Sequence, residues 1–321
     1  MKRFAFYFLA LFAISLFACG GGGSSSGTSP YTGITTAAAI TAANADNIVL
    51  GAFEGGDAGV SFVGGPLGPS TDGVQDASTV GRPKALSLLQ ILNEAAGKVL
   101  PGPSASGTAS PRAVVTESGT IDDGYGGTLT YTLSVDDQTG DFTGSFVFQN
   151  YHGDSGEGIS GPVSVSGTFN FATGTIDHLR YSFASLTMTD GVSSATVSGS
   201  IDLFDGNPAT ATEILFLTDN ATGKTVWIDN FTVNVTEGAG FVDVTMSGKI
   251  YLPDYGCVVV STSTPFHYLA GSTNPSIGTM IVTGSSNGRA RLAVIDATSF
   301  TIDVDADGDG TYEISTPYTW M

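Results

Sequence analysis

Residues 225–252 read TVWIDNFTVNVTEGAGFVDVTMSGKIYL, and apolar and polar side chains alternate along almost all of them. In the first half, Trp227, Phe231 and Val233 share one parity, and mostly polar residues occupy the other. Successive side chains of a strand point to opposite faces, so one face of this segment is suited to burial. Residues 237–240 supply glycines for a tight reversal, and the stretch is therefore predicted to form a long β-hairpin.

The same alternation recurs from residue 113 to residue 321, in about thirteen segments joined mostly by short turns. No helical pattern separates these segments, whereas parallel strands need long crossover connections. The predicted fold class is therefore mainly β: an antiparallel meander forming a barrel or a two-sheet sandwich, with a small N-terminal helical segment. Glycines that recur within these segments, such as Gly199 and Gly248, are expected where long strands bend or bulge.

The first hundred residues have a different composition. Residues 31–100 are predicted to form a small helical region, with an alanine-rich helix within Ile34–Phe53 and a second helix over Pro83–Val99. Residues 101–112 are rich in Pro, Gly and Ser and are predicted to be a linker. The β domain is accordingly expected to span residues 113–321.

The chain begins with a predicted export signal. Residues 1–18 combine a charged start with a short apolar segment, which is typical of a cleaved signal peptide. The sequence Leu16-Phe17-Ala18-Cys19, followed by a Gly/Ser-rich tether over residues 19–30, resembles the lipobox of bacterial lipoproteins. The resemblance implies that Cys19 becomes the lipid-bearing first residue and that a lipid anchor makes the membrane a partner. The alternative is ordinary secretion with a cysteine near the cleavage site.

The chain as a whole resembles uncharacterised β-rich lipoproteins of anaerobic metal-reducing bacteria. The shared features are the lipobox, an alanine-rich helix such as Ile34–Phe53, and a series of hairpins that ends in Asp-Gly-Asp-Gly-Thr-Tyr-Glu. This resemblance brings no known activity. The resemblance implies that the protein is located in the cell envelope, as a lipoprotein anchored in the outer membrane and either periplasmic or surface-exposed.

Charge and cysteine usage limit the classes of partner. The chain has 30 acidic against 11 basic residues, a formal net charge of −19. Nucleic acids and anionic headgroups require clustered Lys and Arg, so we expect no nucleic-acid partner. An envelope protein or a small ligand of unknown identity remains as the expected partner. If Cys19 carries lipid, Cys257 is expected to have no partner within the chain and to form no structural disulfide.

One motif, at residues 305–313, has the residue types of a metal-binding loop. Acidic residues recur at alternate positions of a glycine-containing loop, as in the D-x-D-x-D-G calcium loops that join strands in extracellular β-proteins. Hard oxygen ligands gathered around one point are what Ca²⁺ requires, and the bidentate Glu of an EF-hand is missing. The alternative is an ordinary hairpin turn rich in Asp and Gly. The predicted calcium ligands are Asp305, Asp307, Asp309, Thr311 and Glu313.

No catalytic constellation is evident in the sequence. The serines in Gly153-Asp154-Ser155-Gly156 and Gly284-Ser285-Ser286-Asn287-Gly288 lack suitably placed histidines, and the three histidines have no metal-site spacing. The expected function is a non-enzymatic, lipid-anchored envelope domain with a binding, scaffolding or structural role, stabilised by calcium. The alternatives are an outer-membrane β-barrel protein and a hydrolase with an unrecognised site.

Overall fold

The computed structural model describes residues 30–60, 85–100, 114–153, 157–189, 191 and 193–320. Within them, fourteen strands form one antiparallel sheet in which each strand pairs with the strands before and after it in the chain. The strands are β1 Val114–Asp122, β2 Thr128–Asp136, β3 Asp141–His152, β4 Gly158–Asn170, β5 Thr175–Thr189, β6 Ser194–Phe204, β7 Ala209–Asp219, β8 Thr225–Gly238, β9 Phe241–Leu252, β10 Gly256–Leu269, β11 Ile277–Thr283, β12 Arg289–Asp296, β13 Ser299–Asp305 and β14 Ile314–Thr319.

The predicted class, a mainly β antiparallel meander, is confirmed. The sheet is not closed, because β1 and β14 form its two edges. Among the described residues, the structure has fourteen strands where about thirteen were expected, and all of them lie within residues 113–321.

The β8–β9 hairpin forms as predicted, with Gly240 at φ 83° in the turn. Trp227, however, does not share a face with Phe231. The pairing of β8 with β9 shifts register after Asp229, and Asn230 adopts a left-handed φ of 48°. This bulge reverses the parity, so Ile228 and Phe231 are buried in the core while Trp227 lies on the opposite face of the sheet.

Irregularities of this kind lie side by side across the middle of the sheet. Register shifts occur in the pairings of β3–β4, β4–β5, β5–β6, β7–β8 and β8–β9. We call this feature the bend line and define it by Gly161, Gly199, Ile214, Asn230 and Gly248. Gly199 and Gly248 have φ of 127° and 152°, values that favour glycine, so the expectation that these glycines mark bends is confirmed.

In the part of the chain that the structure describes, two helices accompany the sheet, α1 over Ala45–Val60 and α2 over Ala85–Val99. The position of α2 agrees with the prediction, whereas α1 begins well after Ile34 and continues past Phe53. The start of α1 was predicted wrongly because residues 36–38 use their backbone to pair with β10 and are therefore not available to a helix. Neither described helix is long and apolar enough to span a bilayer.

The core lies between these helices and one face of the sheet. Buried residues of both helices belong to the same apolar cluster as the inward side chains of β2 to β13. Helix α1 contacts β8, β9 and β11 to β13, and the Tyr181 hydroxyl of β5 donates a hydrogen bond to the Leu92 carbonyl of α2 at 3.3 Å. The sheet therefore curves around both helices, and its convex face is turned to solvent.

The segment before α1 passes from the convex face to the core. Tyr31 packs on the convex face against Trp227 and Tyr251, with ring centroids 5.9 and 5.8 Å apart, whereas Ala38 is fully buried in the core. Between them, the Cys257 amide donates to the Thr36 carbonyl at 2.8 Å. This pairing attaches the N-terminal segment to the start of β10.

The expectation that Cys257 forms no disulfide is wrong, because its sulfur is disulfide-bonded. The physical basis of that expectation was that lipid would occupy the other cysteine of the chain, Cys19. Cys19 lies outside the described residues.

Candidate metal centre

The acidic motif forms the hairpin between β13 and β14. Asp305 is the last residue of β13 and is fully buried, whereas Asp307, Asp309 and Glu313 are exposed. The Glu313 amide donates to the Val304 carbonyl at 3.0 Å, which returns the chain to β13 just before β14. A strand end therefore fixes one carboxylate, and a short loop carries the other three.

Backbone amides of the loop hold the carboxylates in place. Asp305 accepts hydrogen bonds from the amides of Gly308 at 2.7 Å and Gly310 at 3.0 Å, one on each carboxylate oxygen. Asp307 accepts from the Asp309 amide at 3.2 Å, and Asp309 accepts from the Thr311 amide at 2.7 Å. The loop is thus wrapped around the buried carboxylate of Asp305.

The four acidic residues predicted as ligands converge. Asp305, Asp307, Asp309 and Glu313 each place a carboxylate oxygen within 4.8 Å of those of the other three, so this cluster could hold a metal ion. Like charges at this separation repel one another, and a cation at the centre would relieve the repulsion. Thr311 lies in the same loop, where its amide donates a hydrogen bond to the Asp309 carboxylate. The motif prediction therefore identified side chains that meet in space.

The surroundings supply no cationic side chain that bonds to these carboxylates among the described residues. Arg291 on β12 instead bonds Asp303 at 2.7 Å and lies 4.1 Å from the centre of the Tyr312 ring. Partial burial raises the pKa of the Tyr312 hydroxyl above its ordinary value, and the positive charge of Arg291 opposes that rise. Arg291 therefore neutralises Asp303 and not the cluster at Asp305.

A short 3₁₀ turn, Ser285–Asn287, packs against the acidic loop. Ser286 and Asn287 adopt left-handed φ values of 54° and 60°, and Gly308, at φ 77°, lies so close that an added Cβ would be 2.9 Å from the Asn287 carbonyl carbon. This turn lies within the Gly284–Gly288 serine motif of the sequence. It forms one wall of the candidate metal centre.

The other serine motif cannot be placed, because Ser155 lies outside the described residues. The three histidines, which sequence reasoning left unassigned, each pair with an aspartate. His267 lies opposite Asp243 on β9 at 2.7 Å, and His178 lies 3.3 Å from Asp202 on β6. No sequence motif indicates these two pairs, because they form between neighbouring strands.

The third pair is the most buried. The Asp123 side chain is 1% exposed, and it lies 3.0 Å from Nδ1 of His152. Burial alone would raise the pKa of Asp123, but hydrogen bonds from the His152 amide and ring and from the Tyr125 and Gly127 amides hold it well below its ordinary value. Asp123 is therefore a firmly ionised group that joins the β1–β2 turn to β3.

Comparison with known proteins gives no assignment by similarity. No protein-family model, no curated protein and no solved structure matches this chain.

Proposed function

We propose that this chain is a non-enzymatic envelope protein whose β domain is held at the outer membrane by lipid on Cys19. The observation that carries the proposal is the lipobox-like sequence Leu16–Cys19, placed between an export signal and a Gly/Ser-rich tether. The role of the β domain is binding or scaffolding, toward an envelope protein or a small ligand.

The cysteines make this proposal sharply testable. A sulfur atom that carries diacylglycerol cannot also form a disulfide, and the chain contains two cysteines. A disulfide within one chain can therefore only join Cys257 to Cys19, which would leave no sulfur for the lipid. Because Cys257 is disulfide-bonded in the structure, the lipid-anchored protein must hold it in a disulfide with another molecule.

The test is growth of expressing cells with an alkyne-labelled fatty acid, followed by membrane fractionation. The proposal predicts label on the wild-type protein in the membrane fraction, with loss of both label and membrane association in Cys19→Ala. Cys257→Ala is the matched control and should keep the label. An unlabelled wild-type protein, with Cys19 and Cys257 peptides joined in a non-reducing digest, would instead identify a secreted domain.

We further propose that the ion held by the acidic loop is Ca²⁺ and that its role is structural. The donors are carboxylate oxygens with a backbone carbonyl available from Thr311, a set of hard ligands that suits Ca²⁺ and leaves thiophilic metals without their preferred partners. The ion would neutralise the loop and fix the β13–β14 hairpin at the edge of the sheet. The chemistry it would supply is charge neutralisation.

A thermal-shift titration with Ca²⁺ against EGTA tests this assignment. A ligand that binds only the folded form stabilises it by about 2.7 kcal/mol at one hundred times its Kd, so the midpoint should rise with Ca²⁺ concentration. Asp307→Asn should abolish the rise. Asp205→Asn, which alters an Asp-Gly turn elsewhere in the sheet, is the matched control and should retain it. A flat titration at millimolar Ca²⁺, or an equal rise in Asp307→Asn, would exclude calcium from this loop.

A further inference from the structure

Glu213 is a carboxylic acid buried in the core with no hydrogen-bond partner on either carboxylate oxygen among the described residues. It lies on β7 between Ala211 and Leu215, which belong to the core cluster, and its parity places it on the same inner face. Its exposure is 0%. A buried ionised carboxylate without a partner is strongly disfavoured, so this group resides in the folded protein as the neutral acid.

No charged group faces Glu213 from the neighbouring elements that the structure describes. Its register partners are Ile201 on β6 and Phe231 on β8, and the described core side chains of α1 and α2 are all apolar. The nearest titratable residue on this row of the sheet is Tyr181, one strand beyond β6, and its hydroxyl donates to the Leu92 carbonyl. Burial alone raises the pKa of Glu213 to about 8.

Glu213 also lies beside the bend line. The next residue, Ile214, turns its carbonyl oxygen toward Gly199, and the pairing of β7 with β8 shifts register between Glu213 and Leu215. A bulged ladder has fewer regular hydrogen bonds to break than a straight one, so the sheet can open here before it unfolds elsewhere.

We propose that Glu213 is a proton-dependent switch for the curvature of the sheet. While its carboxyl carries a proton, β7 stays packed on the core. When the proton leaves, the carboxylate must reach water, and the β7–β8 part of the sheet opens along the bend line. The ligand of this site is the proton, and the response is a local loosening of the sheet.

The direction of the pH dependence follows from linkage. Below the ordinary Glu pKa of 4.5, both folded and unfolded states carry the proton, so the group has no effect. Between pH 4.5 and about pH 8, Glu213 loses its proton only in the unfolded or opened state. The equilibrium constant for opening therefore rises by up to tenfold per pH unit in this range. Above about 8 both states are ionised and the effect levels off.

The experiment compares wild type with Glu213→Gln in urea unfolding and hydrogen exchange from pH 5 to pH 9. The wild type should show faster exchange in β7 and β8 as the pH rises, beyond the intrinsic base catalysis that both proteins share, and Glu213→Gln should lack this excess. Trp227, next to the bulge, reports local opening by fluorescence in a Trp320→Phe background. Glu117→Gln, an exposed acid on β1, is the matched control and should behave as wild type.

Parallel pH profiles for wild type and Glu213→Gln would overturn the proposal, as would an excess of exchange spread evenly over the sheet. If Glu213→Gln does not fold, Glu213→Leu replaces it, since leucine needs no partner in an apolar site. A pH-independent opening of wild type between pH 5 and pH 8 overturns the proposal without any variant.

Discussion

Replacing Leu92 tests whether the helices belong to the same cooperative core as the sheet. Leu92 is fully buried in α2, and its carbonyl accepts the Tyr181 hydroxyl of β5. Leu92→Ala should lower the free energy of unfolding by about 2–5 kcal/mol, because it removes buried methyl groups and leaves a cavity. For a chain of this size that loss corresponds to a fall of roughly 4–20 °C in Tm.

The assay is thermal unfolding followed by circular dichroism at wavelengths that report helix and strand separately. Gly97→Ala is the matched control in the same helix, since Gly97 is exposed and an added Cβ would meet nothing within 4 Å. It should raise stability by about 0.5–1 kcal/mol. Loss of a helical transition alone in Leu92→Ala, with the strand transition unmoved, would refute a shared core.

Two further predictions concern backbone and charge. Gly199→Ala should lower the free energy of unfolding, measured in urea, by about 1–3 kcal/mol, because φ at Gly199 is 127° and the added Cβ would collide with the Ile214 carbonyl. Gly271→Ala, at φ 79° with nothing within 4 Å of the added Cβ, should lower it by only about 1 kcal/mol. An equal loss of unfolding free energy in the two variants would contradict the close approach of the Ile214 carbonyl to Gly199. Asp123→Asn should destabilise the protein at neutral pH, with the difference from wild type shrinking as the pH falls below about 4, because the lowered pKa of Asp123 contributes stability that is lost on protonation. A constant difference from pH 7 to pH 2 would contradict an ionised Asp123 held by His152.

The parts of the fold that could be predicted are those set by local rules. Alternation with a period of two predicted the strands and their order, and the acidic loop was predictable because its ligands lie within nine consecutive residues. Helix α2 was predicted for the same reason, since its apolar stripe is contiguous. In each case the information lies in one short segment.

The parts that were missed depend on pairing between distant segments. The bulge at Asp229 and Asn230 moves Trp227 to the other face, and nothing in residues 225–235 marks it. The pairing of residues 36–38 with β10 displaced the start of α1. Strand pairing likewise created the His267–Asp243 and His178–Asp202 pairs, and the β1–β2 turn brings Asp123 to His152. Glu213 was missed as well, although its parity between Ala211 and Leu215 could have identified an acid on the buried face.

The most direct test of the account is hydrogen exchange on residues 20–321 in detergent-free buffer. An open sheet that curves around two helices predicts a monodisperse protein in which alternate amides of β1 and of β14, those turned away from β2 and β13, exchange as fast as exposed amides. The central strands should exchange slowly. Uniform protection of every amide in β1 and β14, or a protein that needs detergent to stay dispersed, would contradict it.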